Sequence, residues 1–94
     1  MNKVRELKKD IDRVIADVVF RCFQFIEDND TVDEAQVLPI AEEALTFQVE
    51  LRKRACHPDA KDNKAVVKKY YRKITADLIN CHQQSIEKLN SLKA

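Results

Sequence analysis

At 94 residues the chain is long enough for one modest hydrophobic core and too short for two. It is 45% hydrophobic and 35% charged, with two prolines and no glycine, a balance that argues against β-hairpins and for long helices. The formal net charge of +1 and a pI near 7.7 argue against a dedicated nucleic-acid binder.

The opening residues, MNKVRELKKDID, are charged and lack the apolar core of a signal peptide, and no run is long enough to span a bilayer. A cytoplasmic location is the expectation, with no membrane partner. In that compartment Cys22, Cys56 and Cys81 are free thiols rather than a disulfide framework.

Val4, Leu7, Ile11, Val14, Ile15, Val18, Cys22, Phe25 and Ile26 recur at three- and four-residue spacing, which predicts one amphipathic helix over roughly residues 3–28. Past Val18 the apolar surface widens, because Val19, Phe20 and Phe23 spread it over more than half the circumference. One bundle seam does not need so wide a face. Either the first loop and the end of the third helix cover Phe20 and Phe23, or the two form an exposed patch for self-association.

The stretch EDNDTVDE ends this helix: Asn29 can take a left-handed cap in place of glycine, and Thr31 with Glu34 reads as a capping box for the next. The second helix, roughly 33–56, carries Val37, Ile40, Ala41, Ala44, Phe47, Val49 and Leu51 as its apolar positions. Pro39 either occupies its first turn or kinks a helix that began nearer Asp33. Pro58 disfavours helical geometry at His57 and stops the helix there. Asp62 or Asn63 then caps a third helix, roughly 63–92, whose stripe runs Val67, Tyr70/Tyr71, Ile74, Leu78, Cys81, Ser85/Ile86, Leu89 and Leu92. Three long helices with short connections predict an all-α, up-down-up antiparallel three-helix bundle, with residues 1–94 as one domain.

Charge is segregated along that bundle. Residues 1–13 carry +2, residues 14–49 carry −7, residues 50–73 carry +6 and the remainder is neutral. An up-down-up arrangement therefore has a basic end, built from Lys3, Arg5, Lys8 and Lys9 with Arg52, Lys53 and Arg54, and continued by Lys61, Lys64, Lys68, Lys69, Arg72 and Lys73. Glu27, Asp28, Asp30, Asp33 and Glu34 form an acidic end. Helix dipoles explain the acids at the start of helix two and the bases at its end, but not Lys3, Arg5, Lys64 and Lys68 near helix N-termini. The basic end is either a solvated face or a surface for an acidic protein or polyanion, with Tyr70 and Tyr71 as possible base-stacking groups.

The residues offer little chemistry. Cys56-His57 and Cys81-His82 invite a metal reading, but neighbours on a helix diverge by about 100°, and Cys56 lies roughly 25 Å along the bundle from Cys22 and Cys81. No glycine-rich loop cradles phosphate, no Ser-His-Asp or Cys-His-Asn order occurs, and no Glu-x-x-His motif accompanies the surface carboxylates. No cofactor, metal or catalytic residue is expected.

Three resemblances are visible. ELRKRACHPDAKDNKAVVKKYYRKI, residues 50–74, resembles the J-domain family in its order of basic helix, HPD loop and a helix bearing KKYYRKI. That resemblance implies a non-enzymatic co-chaperone in which His57, Pro58 and Asp59 stimulate a partner chaperone's ATPase. The chain departs from the pattern at Arg52, where an apolar residue is expected, at Cys56, where an aromatic is expected, and in having no glycine for the family's first turn. PDAKDN is also the residue set that a turn and helix cap require. VRELKKDIDRVIADVVFRC, residues 4–22, resembles the first helix of all-helical chorismate mutases, which implies substrate-binding roles for Arg5 and Arg21. The family's next substrate-binding lysine is missing, because the helix breaks at EDNDT. KVRELKKDI and the PDAKDN loop together resemble a family of short all-helical proteins of unknown function from Bacteroides-type bacteria, a likeness that brings no activity with it.

The expectation is a non-catalytic interaction module that binds protein, either itself or another. The candidate interaction residues are Phe20 and Phe23 with Arg52, Lys53, Arg54, Lys61, Lys64, Lys68, Lys69 and Arg72. The alternatives are a J-domain-like co-chaperone acting through His57, Pro58 and Asp59, a polyanion binder and a chorismate-mutase-like enzyme.

Overall fold

The computed structural model describes residues 3–56 and 63–92 and forms them into three helices, α1 (Lys3–Asp28), α2 (Glu34–Cys56) and α3 (Lys64–Ser91), with no strand among the described residues. His57, Pro58, Asp59, Lys61 and Asp62 lie outside the described residues.

Side-chain oxygens and amides set the helix ends. At the end of α1 the Asn29 side-chain amide donates to the Phe25 carbonyl at 2.9 Å, and the Val32 N–H closes a turn on Asn29 at 3.0 Å. The start of α2 differs from the Thr31–Glu34 capping box. Asp33 is the cap instead: its carboxylate accepts from the Ala35 N–H at 3.0 Å and its carbonyl from the Gln36 N–H at 2.9 Å. A carboxylate already within reach of a free N–H of the first turn leaves the box no role.

Pro39 falls in the second turn of α2, not the first. It removes the donor that the Ala35 carbonyl would otherwise receive, but both residues are exposed, so water can take its place. For α3, Asn63 is the cap, in extended conformation (φ −108°, ψ 104°), accepting from Ala65 N–H at 3.1 Å and Val66 N–H at 3.2 Å.

The core follows the apolar stripes. Ile11, Ile15, Val18 and Cys22 of α1 meet Val37, Ala44, Leu51 and Ala55 of α2 and Ile74 and Leu78 of α3, all nearly or fully buried. Each large aliphatic side chain buried this way contributes about 1.5–3 kcal/mol. Leu7, Val14, Ile26, Tyr70, Tyr71 and Ile86 pack half-buried around this core. Val49 is a correction to the expected stripe: it is exposed, because it lies about 135° around α2 from the core direction, whereas Ala55 is on that direction and buried.

Polar side-chain pairs record the topology. Arg54 meets Asp77 at 2.9 Å and Glu43 meets Lys88 at 2.9 Å, so moving back along α2 from 54 to 43 moves forward along α3 from 77 to 88. These helices are antiparallel. Asp12 meets Arg52 at 2.6 Å across α1 and α2, and Asp17 meets His82 at 2.8 Å across α1 and α3. All three helices pack on one another, in a rod 54 Å long and 20 by 17 Å across.

Candidate functional site

Phe20 and Phe23 are 57% and 54% exposed, so neither the first loop nor the end of α3 covers them. At about 100° per residue, Ala16, Phe20 and Phe23 fall within about 60° of arc on the outward side of α1. On α2 the exposed Leu38, Leu45 and Val49 fall within about 40° of arc. Asp12 marks the edge of α1 that meets α2, and its partners Gln48 and Arg52 mark the facing edge of α2. Both apolar arcs lie just outside that line, on the side away from α3. They join into one apolar face across the α1–α2 seam. Among the described residues, the remaining exposed large hydrophobics, Val66 and Ile79, are both on α3.

Sequence reasoning found Phe20 and Phe23 but missed Leu38 and Leu45, and it assigned Val49 to the core. The signal was present: positions 38, 45 and 49 are spaced by seven and four, a helical stripe distinct from the buried one.

Arg5, Lys8, Lys9 and Arg52 line, with Val4 and Asp12, a cavity of about 500 Å³ at the α1–α2 seam. Arg52 and Arg54 are engaged with Asp12 and Asp77, which makes them inter-helix pairs. Lys53, Lys64, Lys68, Lys69 and Arg72 are exposed and in no ion pair among the described residues.

Three aspartates have lowered pKa values. At Asp12, partial desolvation raises it, yet hydrogen bonds from Gln48 and Arg52 together prevail and hold it below its ordinary range. The hydrogen bond from His82 lowers Asp17, helped by Arg21 against desolvation. The hydrogen bond from Lys73 lowers Asp77, helped by Arg54. Each of these three carboxylates joins two helices. No three potential metal ligands gather among the described residues.

Among the described residues, Cys22, Cys81 and His82 do not combine into a reactive group. Cys81 lines a cavity of about 460 Å³ between α2 and α3, beside Glu43, Phe47 and Lys88. His82 faces α1 instead, about 100° around the helix. Burial raises the Cys81 thiol, with Glu43 adding to it, and burial raises Cys22 as well. Both therefore stay protonated and poorly nucleophilic. Arg5 and Arg21 do not converge: Arg5 lines the α2-side cavity, Arg21 pairs with Asp17, and sixteen residues of helix separate them by about 24 Å.

No family model, curated protein or solved structure matches the chain.

Proposed function

We propose that this chain is a non-catalytic protein-interaction module that self-associates through the apolar face of α1 and α2. The observation that carries the reading is the more than half-exposed pair Phe20 and Phe23, continued across the seam by Leu38, Leu45 and Val49. Five large apolar side chains open to water on one face of a rod 20 Å wide are a cost to an isolated chain, which burial against a partner removes. The inward-turned Cys22 and Cys81, the separation of His82 from the Cys81 thiol and the separation of Arg5 from Arg21 support a binding role over catalysis.

Sedimentation or light scattering over a wide concentration range tests this. The expected result is reversible association, lost in Phe20→Ser with Phe23→Ser while helicity and melting temperature are retained. A chain that stays monomeric at every concentration, or an assembly indifferent to both substitutions, overturns it.

A further inference from the structure

The apolar face is only the middle of a longer surface. Toward one end of the α1–α2 side lies the basic cavity lined by Lys8, Lys9 and Arg52, with exposed Lys53 beside it. Toward the other end lie exposed Glu27, Asp30 and Glu34. Arg52 is paired with Asp12, but Lys9, Lys53, Glu27, Asp30 and Glu34 are in no ion pair among the described residues, so these five charges stay open to a partner. One face thus reads basic, then largely apolar with exposed Glu42 at its outer margin, then acidic along its length.

Such a surface is complementary to itself turned end for end. We propose that two copies of this chain pair face to face through α1 and α2 in antiparallel orientation, each basic end lying on the other copy's acidic end. This rests on the self-association proposed above and adds the partner's orientation and the charges that select it.

The geometry supports a two-fold axis crossing near Phe20. With Arg52 and Gln48 both opposite Asp12, Val49 lies near the height of Val14 and Leu38 near that of Phe25. The apolar face is therefore centred near Val19 and Phe20. Rotation about that centre carries Lys9 and Lys53 to the height of Asp30 and Glu34 in the other copy. A parallel pairing would instead stack basic end on basic end and acidic end on acidic end. Like charges brought together across an interface disfavour that arrangement, whereas opposite charges speed encounter and fix register.

The area is of the right order. A phenylalanine buries about 150–250 Å² when covered, so five roughly half-exposed apolar side chains offer about 400–500 Å² per copy. A stable interface takes about 800 Å² per partner, and the two charged ends supply the remaining rim. C2 pairing is closed, so it also leaves no apolar face open to propagate into a filament.

The orientation is read by electron-spin distance measurement between labels on Cys56, in the full chain carrying Cys81→Ser, since Cys22 is buried. Cys56 lies near the height of Leu7, so antiparallel pairing separates the two labels by about 35–40 Å at 1.5 Å per residue, and parallel pairing brings them within about 20 Å. The charge pairing is read by dissociation constants. Lys9→Glu with Lys53→Glu weakens the dimer on the order of tenfold, as does Glu27→Lys with Asp30→Lys, and mixing the two variants restores it. Raising the salt weakens the native dimer and leaves the mixed variants' relative order intact.

A dimer with labels at the long distance and mutual rescue of the reversals sustains the inference. A dimer with labels at the short distance, or one indifferent to both reversals, overturns it while leaving self-association standing. A strict monomer removes both.

Discussion

Asp12 on α1 and Arg52 on α2 meet at 2.6 Å, forty positions apart in the chain, and lie along the line where the buried seam gives way to the outward face. The pair shares its carboxylate with Gln48 at 2.8 Å, so three polar side chains border the apolar arcs of both helices. It marks the register that sets Leu38 at the height of the turn from Phe23 to Phe25. Core packing sets that register, because an ion pair this exposed is worth little.

Two neighbouring residues separate these contributions. Arg52→Ala lowers unfolding stability by less than about 1 kcal/mol. Leu51→Ala, one position earlier and fully buried, lowers it by about 2–5 kcal/mol through lost burial and a cavity. Urea denaturation of both variants checks the contrast, and equal losses would assign the register to the ion pair.

Asp77 is the most enclosed of the pairing carboxylates and joins α2 to α3 through Arg54 while also accepting from Lys73, each at 2.9 Å. Asp77→Ala leaves the partly buried Arg54 guanidinium without its partner and costs about 1–2 kcal/mol. Lys73→Ala, whose cation is well exposed, costs under about 0.5 kcal/mol. A larger loss from Lys73 than from Asp77 would contradict this assignment.

Acid weakens the bundle through the same groups. Asp12, Asp17 and Asp77 all have pKa values lowered from 3.8 in the folded chain, so the unfolded chain binds protons more readily at these sites. Their contribution is complete above the unfolded value and is lost as pH falls through the folded ones. Melting temperature is therefore insensitive to these three groups between about pH 5 and 7 and falls below about pH 4. Asp77→Asn flattens part of that acid slope, and an unchanged slope would show that Asp77 does not contribute to it.

Thiol labelling follows burial. Cys56 is exposed and reacts first with a disulfide reagent at neutral pH, Cys81 reacts slowly, and Cys22 reacts on unfolding. Burial raises both of the slower thiols, so each holds less thiolate as well as less access. Rapid labelling of all three in the native protein would mean that the bundle opens readily.

The helices were legible because their signals are local. Apolar residues at three- and four-residue spacing, Asn63 before the third stripe and the polar break after Asp28 all act over one or two turns. The errors were local competitions. Asp33 took the capping role from Thr31 and Glu34 because a carboxylate one position before the helix reaches its free N–H groups directly. Val49 entered the expected core because a β-branched residue near Phe47 and Leu51 looks inward until the angle around the helix is counted.

Of the site, sequence showed Phe20 and Phe23 as surplus to one seam and showed the charge segregation. It could not decide whether those rings were covered, since coverage depends on where α3 lies rather than on α1. Arg52 and Arg54 show the same limit: they read as free surface charge until packing brings Asp12 and Asp77 beside them.

By itself the sequence determined the all-α class, the three helices and the residues that build their core, because the hydrophobic effect and backbone capping act on patterns that repeat within each helix. The tertiary structure alone decided which apolar side chains are left over. Three helices share one core, and the side on which α3 packs leaves the opposite flank of α1 and α2 open, joining Phe20 and Phe23 to Leu38, Leu45 and Val49. That union spans two helices far apart in sequence, so no local pattern could encode it.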